Sequence, residues 1–171
     1  MRRVFVSIIV TLIIANCLYC YAATGKGLEF SIIFDKEEYT TKDQIKIDFK
    51  LENKGKKDVV VNTRFFLNGK ESPREKGEVY LEVISPSGKE LPLKHTRETG
   101  LPRTDDFVVL KPGEERSTKR PFNITYFYDF KTPGTYKITA VYQNVFGDEI
   151  GLKEAFKERL KSKEVIIKIT E

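Results

Sequence analysis

The chain has no tryptophan, one methionine and one histidine, and its two cysteines are Cys17 and Cys20. The lone His95 excludes sites built on several imidazoles, including a His-Glu-x-x-His zinc centre. Without tryptophan, sugar binding loses its strongest stacking platform. There is no internal repeat, no low-complexity tract and no linker long enough to divide the chain. No Arg/Lys stripe with interleaved aromatics occurs, which argues against nucleic acid as a partner. At 171 residues and 12% aromatic, with charges of both signs interspersed, the chain can bury a core and is not a disordered polymer.

The first stretch differs from the rest. Met1-Arg2-Arg3 is a short positive start, and Val4 to Ala15 is apolar. Cys20-Tyr21-Ala22 then sets small residues at the −3 and −1 positions of a cleavage site before Ala23. No acidic residue occurs before Glu29. The expectation is a signal peptide over residues 1–22 and one domain over residues 23–171. Two other readings of the same stretch remain. Val4 to Ala23 is long enough for an uncleaved membrane anchor. Ile14-Ala15-Asn16-Cys17 has the outline of a lipidation site, with Asn16 where Gly, Ala or Ser is usual. Each version exports the domain, and a membrane enters only through an uncleaved or lipidated N-terminus.

Cleavage would remove both cysteines, leaving no disulfide or thiol chemistry, so the domain must stand on its core. Export without cysteine fits a bacterial protein that is periplasmic, cell-surface or secreted. Loss of Arg2 and Arg3 lowers the formal charge from +5 to +3, compatible with ordinary solubility or a mild bias toward anionic surfaces.

From Leu28 onward the pattern is one of strands. Leu28, Phe30, Ile32 and Phe34 recur with period two. Ile45, Ile47, Phe49 and Leu51 alternate with Lys46, Asp48, Lys50 and Glu52, as in an antiparallel sheet with one wet face. Val59–Phe66 and Val79–Ile84 are rich in β-branched and aromatic residues. Phe107–Leu110 ends at a Pro112-Gly113 turn, and Ser117–Asn123 carries Pro121, which suits an edge strand. Tyr136, Ile138, Ala140 and Tyr142 alternate again, and Val165–Ile169 closes the row. Leu152, Phe156 and Leu160 sit at i, i+4 and i+8, which predicts a short helix over Leu152–Leu160.

The order of these signals resembles a bacterial immunoglobulin-like domain. The residues that carry the likeness are Tyr39 with Ile45-Lys46-Ile47-Asp48-Phe49-Lys50-Leu51-Glu52-Asn53, then Leu110-Lys111-Pro112-Gly113-Glu114 and Pro133-Gly134-Thr135-Tyr136. The pattern is similar to the N-terminal domain of deuterolysin-type peptidases and to the intracellular proteinase inhibitor family, over residues 28–170. It implies an all-β fold: an immunoglobulin-like antiparallel β-sandwich of seven to eight strands, with one short helix in the last connection. It carries over no catalytic residue, because the peptidase motif is absent. The inhibitor family typically has tryptophans in its core pattern, and this chain has none.

Candidate sites are few. His95 has no Gly-x-Ser-x-Gly elbow to serve, and Asp105-Asp106 with Glu98 lacks a calcium-loop pattern. No enzyme, metal or cofactor is therefore expected. Asn123 to Phe130 holds Tyr126, Phe127, Tyr128 and Phe130, and four aromatics in five residues cannot all face inward from a strand. Either the outward ones form a binding patch, or the connection carrying Phe146, Leu152 and Phe156 covers them. The Lys94–Asp105 loop is long for a small sandwich, and Leu101-Pro102-Arg103 within it could enter a protease cleft. The expected function is an exported, non-catalytic accessory module of the cell envelope that binds a protein, through Tyr126, Phe127 and Tyr128 or through Leu101 and Arg103. Protease inhibition through the 94–105 loop and small-ligand or glycan binding are the alternatives.

Overall fold

In the computed structural model the described residues are 23–25, 27–69, 78–96 and 100–171. The expected signal segment 1–22, with Cys17 and Cys20, lies outside them, as do Glu98 and Thr99 of the long loop. The chain runs through β1 (Ala23–Gly25), β2 (Leu28–Phe34), β3 (Glu38–Thr40), β4 (Lys46–Asn53), β5 (Val59–Asn62) and β6 (Val79–Ile84). It continues through β7 (Phe107–Leu110), β8 (Glu115–Ser117), β9 (Phe122–Asn123), β10 (Gly134–Gln143), β11 (Arg159–Lys161) and β12 (Val165–Thr170).

These strands make the expected all-β sandwich. One sheet has the order β1-β2-β4-β8, with β9 paired to the other end of β4. The second is built on β10, with β6 along one edge and β11 then β12 along the other, and β3 parallel to β12. A two-stranded ribbon, β5 with β7, completes the fold. The alternation seen in the sequence becomes the core. Ile47, Phe49 and Leu51 are buried beside Phe30 and Ile32, and Tyr136, Ile138, Ala140 and Tyr142 beside Leu81 and Val83. The sheets meet where the Phe30 ring lies 5.8 Å from Phe49 and 5.7 Å from Tyr142. Each such side chain contributes roughly 1.5–3 kcal/mol by leaving water.

The strands number twelve among the described residues, more than the expected seven or eight. Long runs are divided: Pro121 has no N–H for a ladder, so Ser117–Asn123 becomes the ends of β8 and β9 on either side of it. Ser162 divides β11 from β12, its amide donating to Ala140 O and its hydroxyl accepting from Ala140 N.

The expected helix over Leu152–Leu160 is not formed. The connection has a single 3-10 turn, Asp148–Ile150, and Arg159–Lys161 is strand β11. Gly147, at φ 142°, lets the chain fold tightly: Leu152 N donates to its carbonyl, and a Cβ there would meet Leu152 O at 2.5 Å. Phe156 N then donates to Val60 O, tying the segment to β5. Phe156 and Leu160 are buried as their pattern required, but an even spacing puts residues on one side of an extended chain too.

Candidate functional site

In the loop from Lys94 to Asp105 the described residues, 94–96 and 100–105, are fastened at three places. At its start, Lys94 N donates to Phe127 O at 2.7 Å and Lys94 Nζ to Thr125 O at 2.9 Å. His95 adds its ring to Tyr126, with centroids 4.9 Å apart. At its close, the 3-10 turn Thr104–Asp106 begins where the Asp106 carboxylate accepts from Arg103 N at 2.8 Å. The Asp106 carbonyl accepts from Thr63 N at 2.7 Å. In the middle, Arg64 Nη1 donates to Gly100 O at 2.7 Å.

Within this frame Leu101 points out, 66% exposed, the most exposed large apolar side chain among the described residues. Pro102 beside it is buried. With Phe146, Gly147, Glu149 and Ile150 the pair lines a shallow depression that has no room for a water molecule. The Arg103 side chain is 82% exposed and pairs with Asp105 at 3.3 Å, both ends in water. Such a pair stabilises little.

Behind the loop lies a polar cluster that strand alternation does not explain. Asn62, Glu78 and Asn144 are fully buried. The Glu78 carboxylate accepts from Arg64 Nε at 3.0 Å, from Arg64 Nη2, from Phe66 N at 3.0 Å and from Asn62 Nδ2 at 3.2 Å. Asn62 Nδ2 also reaches Asn144 Oδ1, and Asn144 Nδ2 donates to the carbonyls of Phe146 and Phe156. The Tyr142 hydroxyl donates to Asn62 O at 3.0 Å. Burial, then the nearby charge of Glu78, pushes that phenol far above its ordinary range. Among the described residues, no three His, Cys, Asp or Glu side chains gather as a metal site would require.

The aromatic run divides sharply. Tyr126 is 47% exposed, but Phe127 and Tyr128 are buried, so neither is available to a partner. The cause is local. Asn123 Oδ1 accepts from Thr125 N and Thr125 Oγ1, capping the 3-10 turn Ile124–Tyr126, and this turn breaks the period of two. Tyr128 is carried inward, where its hydroxyl donates to Leu81 O at 3.0 Å and burial raises its phenol well above the usual range. Phe130 packs on Tyr136 with ring centres 5.1 Å apart. The cover differs from that suggested by sequence: Phe156 joins this core, while Phe146 and Leu152 pack with Phe107 and Val60 in a second cluster.

Of the five residues singled out from sequence, Tyr126, Leu101 and Arg103 therefore remain at the surface. Tyr126 meets the loop at its beginning, and Leu101 and Arg103 stand toward its end. Arg64, Glu78, Asn62 and Asn144 were not foreseen. Their one signal is a pair of polar residues, Asn62 and Arg64, inside the apolar run Val59–Phe66.

No family model and no curated protein matches the chain. Among solved structures it is similar to a β-glucosidase of Erythrobacter marinus, with 13% identity and a TM-score of 0.39. The match covers 84% of this chain and 15% of that one, and at that score it carries no argument about fold or activity.

Proposed function

We propose that this chain is an exported, non-catalytic interaction module of the cell envelope, which binds another protein through the loop 94–105 and the adjoining Tyr126. The observation that carries the reading is a loop fastened near Lys94, at Gly100 and at Arg103 that still holds Leu101 and Arg103 in solvent, with the exposed Tyr126 beside its start. An apolar side chain kept exposed on backbone held by hydrogen bonds is a feature of binding surfaces, and backbone already held loses little freedom on association. A protein partner is favoured over a glycan. The chain has no tryptophan, and one face of Tyr126 is already taken by His95.

The test is capture from an envelope extract by the chain and by its Leu101→Ala/Tyr126→Ala variant. Both side chains are at the surface, so the variant should fold. Retention of a protein by the unaltered chain and its loss from the variant is the expected result. If the two retain the same proteins, or neither retains any, the reading fails.

One observation favours a narrower version. Leu101-Pro102-Arg103 is exposed at both outer positions and anchored at Pro102, as a segment offered to a protease cleft would be. In that case the chain slows a peptidase that cleaves after leucine or arginine, and Leu101→Ala or Arg103→Ala abolishes the effect.

A further inference from the structure

Arg64 stands at the junction between the buried polar cluster and the exposed loop. We infer that Arg64, locked on Glu78, is the positioning residue that sets the geometry of the binding loop through the carbonyl of Gly100. The inference rests on the proposed role of that loop, and it gives the Arg64–Glu78 pair a role in addition to its contribution to stability.

The geometry is specific to a guanidinium. Glu78 is fully buried and takes both Nε and Nη2 of Arg64, a two-point grip that fixes the plane of the group. Nη1 on the other side then points at Gly100 O, 2.7 Å away. A lysine would present a single compact charge and could not hold two partners on opposite edges. Rings add to the constraint: the guanidinium carbon lies 5.6 Å from the centre of Phe66 and 5.9 Å from that of Phe146. Phe146 also lines the depression beside Leu101, so one group touches both sides of the exposed surface.

The backbone that presents Arg64 is itself held under constraint. Phe65 has φ 48°, the left-handed region that bulky residues avoid, and it is buried against Phe49 and Tyr142. The residues on either side of it are clamped by the same cluster. Arg64 N donates to Asn62 Oδ1 at 3.0 Å, and Phe66 N donates to Glu78 Oε2 at 3.0 Å. Unusual backbone geometry persists only where its surroundings over-determine it, and here the over-determination aims Arg64 at the loop. The contacts of Lys94 with the 124–127 turn and of the Asp106 carbonyl with Thr63 do not involve Arg64, so removing its grip should release the stretch from Gly100 to Arg103 that lies between them.

Arg64→Lys in the full chain tests this, with tryptic cleavage after Arg103 as the readout and cleavage after exposed Lys56 as the internal reference. The expected result is cleavage after Arg103 about tenfold faster or more, as loss of a charge-assisted hydrogen bond implies, with Lys56 unchanged. Equal rates at Arg103 in both proteins overturn the inference. A parallel rise at both sites overturns it too, because Arg64 would then be supporting the whole fold. The unaltered chain supplies a check that needs no variant. Nitrogen-15 spectra should show separate, slowly exchanging Nη signals for Arg64, and one averaged signal rejects the bridge to Gly100. Neither measurement needs a partner, so failure to capture a protein and failure of this bracing remain separate results.

Discussion

The aromatic run 124–130 and the loop 94–105 touch at Tyr126 and His95, and they solve opposite problems. The run has Tyr126, Phe127, Tyr128 and Phe130, and buries all but the first. The loop is polar for most of its described length, yet it leaves Leu101 in water. Aromatic density therefore measures how much a segment has to hide, and a capped 3-10 turn lets it hide more than a strand could. An apolar side chain left outside a loop that is anchored on both flanks marks a surface more directly. The contrast is open to attack by substitution, because the two regions should answer with different quantities: stability for the run, binding for the loop.

The largest effect is expected from Phe127→Ala, which empties a buried ring site and should cost about 3–5 kcal/mol in urea unfolding. A cost under about 1 kcal/mol, the scale of ordinary surface changes, would return Phe127 to the surface and erase the contrast. Glu78→Gln comes next. It leaves the Arg64 guanidinium partly buried without its counter-charge, and removal of one member of such a pair costs about 3 kcal/mol. Partner capture should fall with it, since the same carboxylate orients Arg64 toward Gly100. If stability falls and capture is unchanged, the polar cluster belongs to the core alone.

How far sequence anticipates this arrangement depends on the range of the interaction. The alternation at Ile47, Phe49 and Leu51 and at Tyr136, Ile138 and Tyr142 is local, and it predicted both inner faces of the sandwich. Leu152, Phe156 and Leu160 misled because spacings of four suit a helix face and an extended face alike; Gly147 decided between them through a contact with Leu152. The long loop was legible from its length and from Gly100 and Pro102. Its brace was not, because Arg64 lies far from Gly100 along the chain and the two meet only when β5 and the loop are folded together. Tyr126 was separable from Phe127 and Tyr128 only by noticing that Asn123 and Thr125 can cap a turn between them.

Tyr128→Phe probes the inward side more gently. It keeps the ring and removes the donor to Leu81 O, an exchange expected to cost about 1 kcal/mol. Alkaline titration makes the same point without substitution. Burial raises the phenols of Tyr128 and Tyr142, so both stay neutral in the folded chain beyond the ordinary tyrosine range near about pH 10. Their folded-state values lie above the unfolded ones. The associated stability is therefore complete below about pH 10 and is lost as pH rises above it, where only the unfolded chain ionises. Tyrosinate absorbance from these two rings should then appear together with the loss of circular dichroism. Tyrosinate from them in a chain that is still folded would mean that the run opens to solvent.

The smallest change in stability, and the sharpest form of the comparison, belongs to Leu101→Ala and Tyr126→Ala. Leu101 gives up little buried area, so its truncation should move stability by no more than about 0.5 kcal/mol. Tyr126 packs on His95 at a tilt and meets Phe127 edge-on at 5.2 Å, so its cost should lie at the upper end of that range. The proposed function requires both to weaken capture of a protein partner, by tenfold or more if either is an anchor of the interface, since a central anchor contributes about 2 kcal/mol. A buried neighbour one residue away, Phe127, must show the reverse balance. Should Tyr126→Ala cost as much stability as Phe127→Ala while capture is untouched, the run is core throughout and the binding surface shrinks to the loop. Leu101→Ala then decides alone, and capture that survives it rules out the loop as the binding surface.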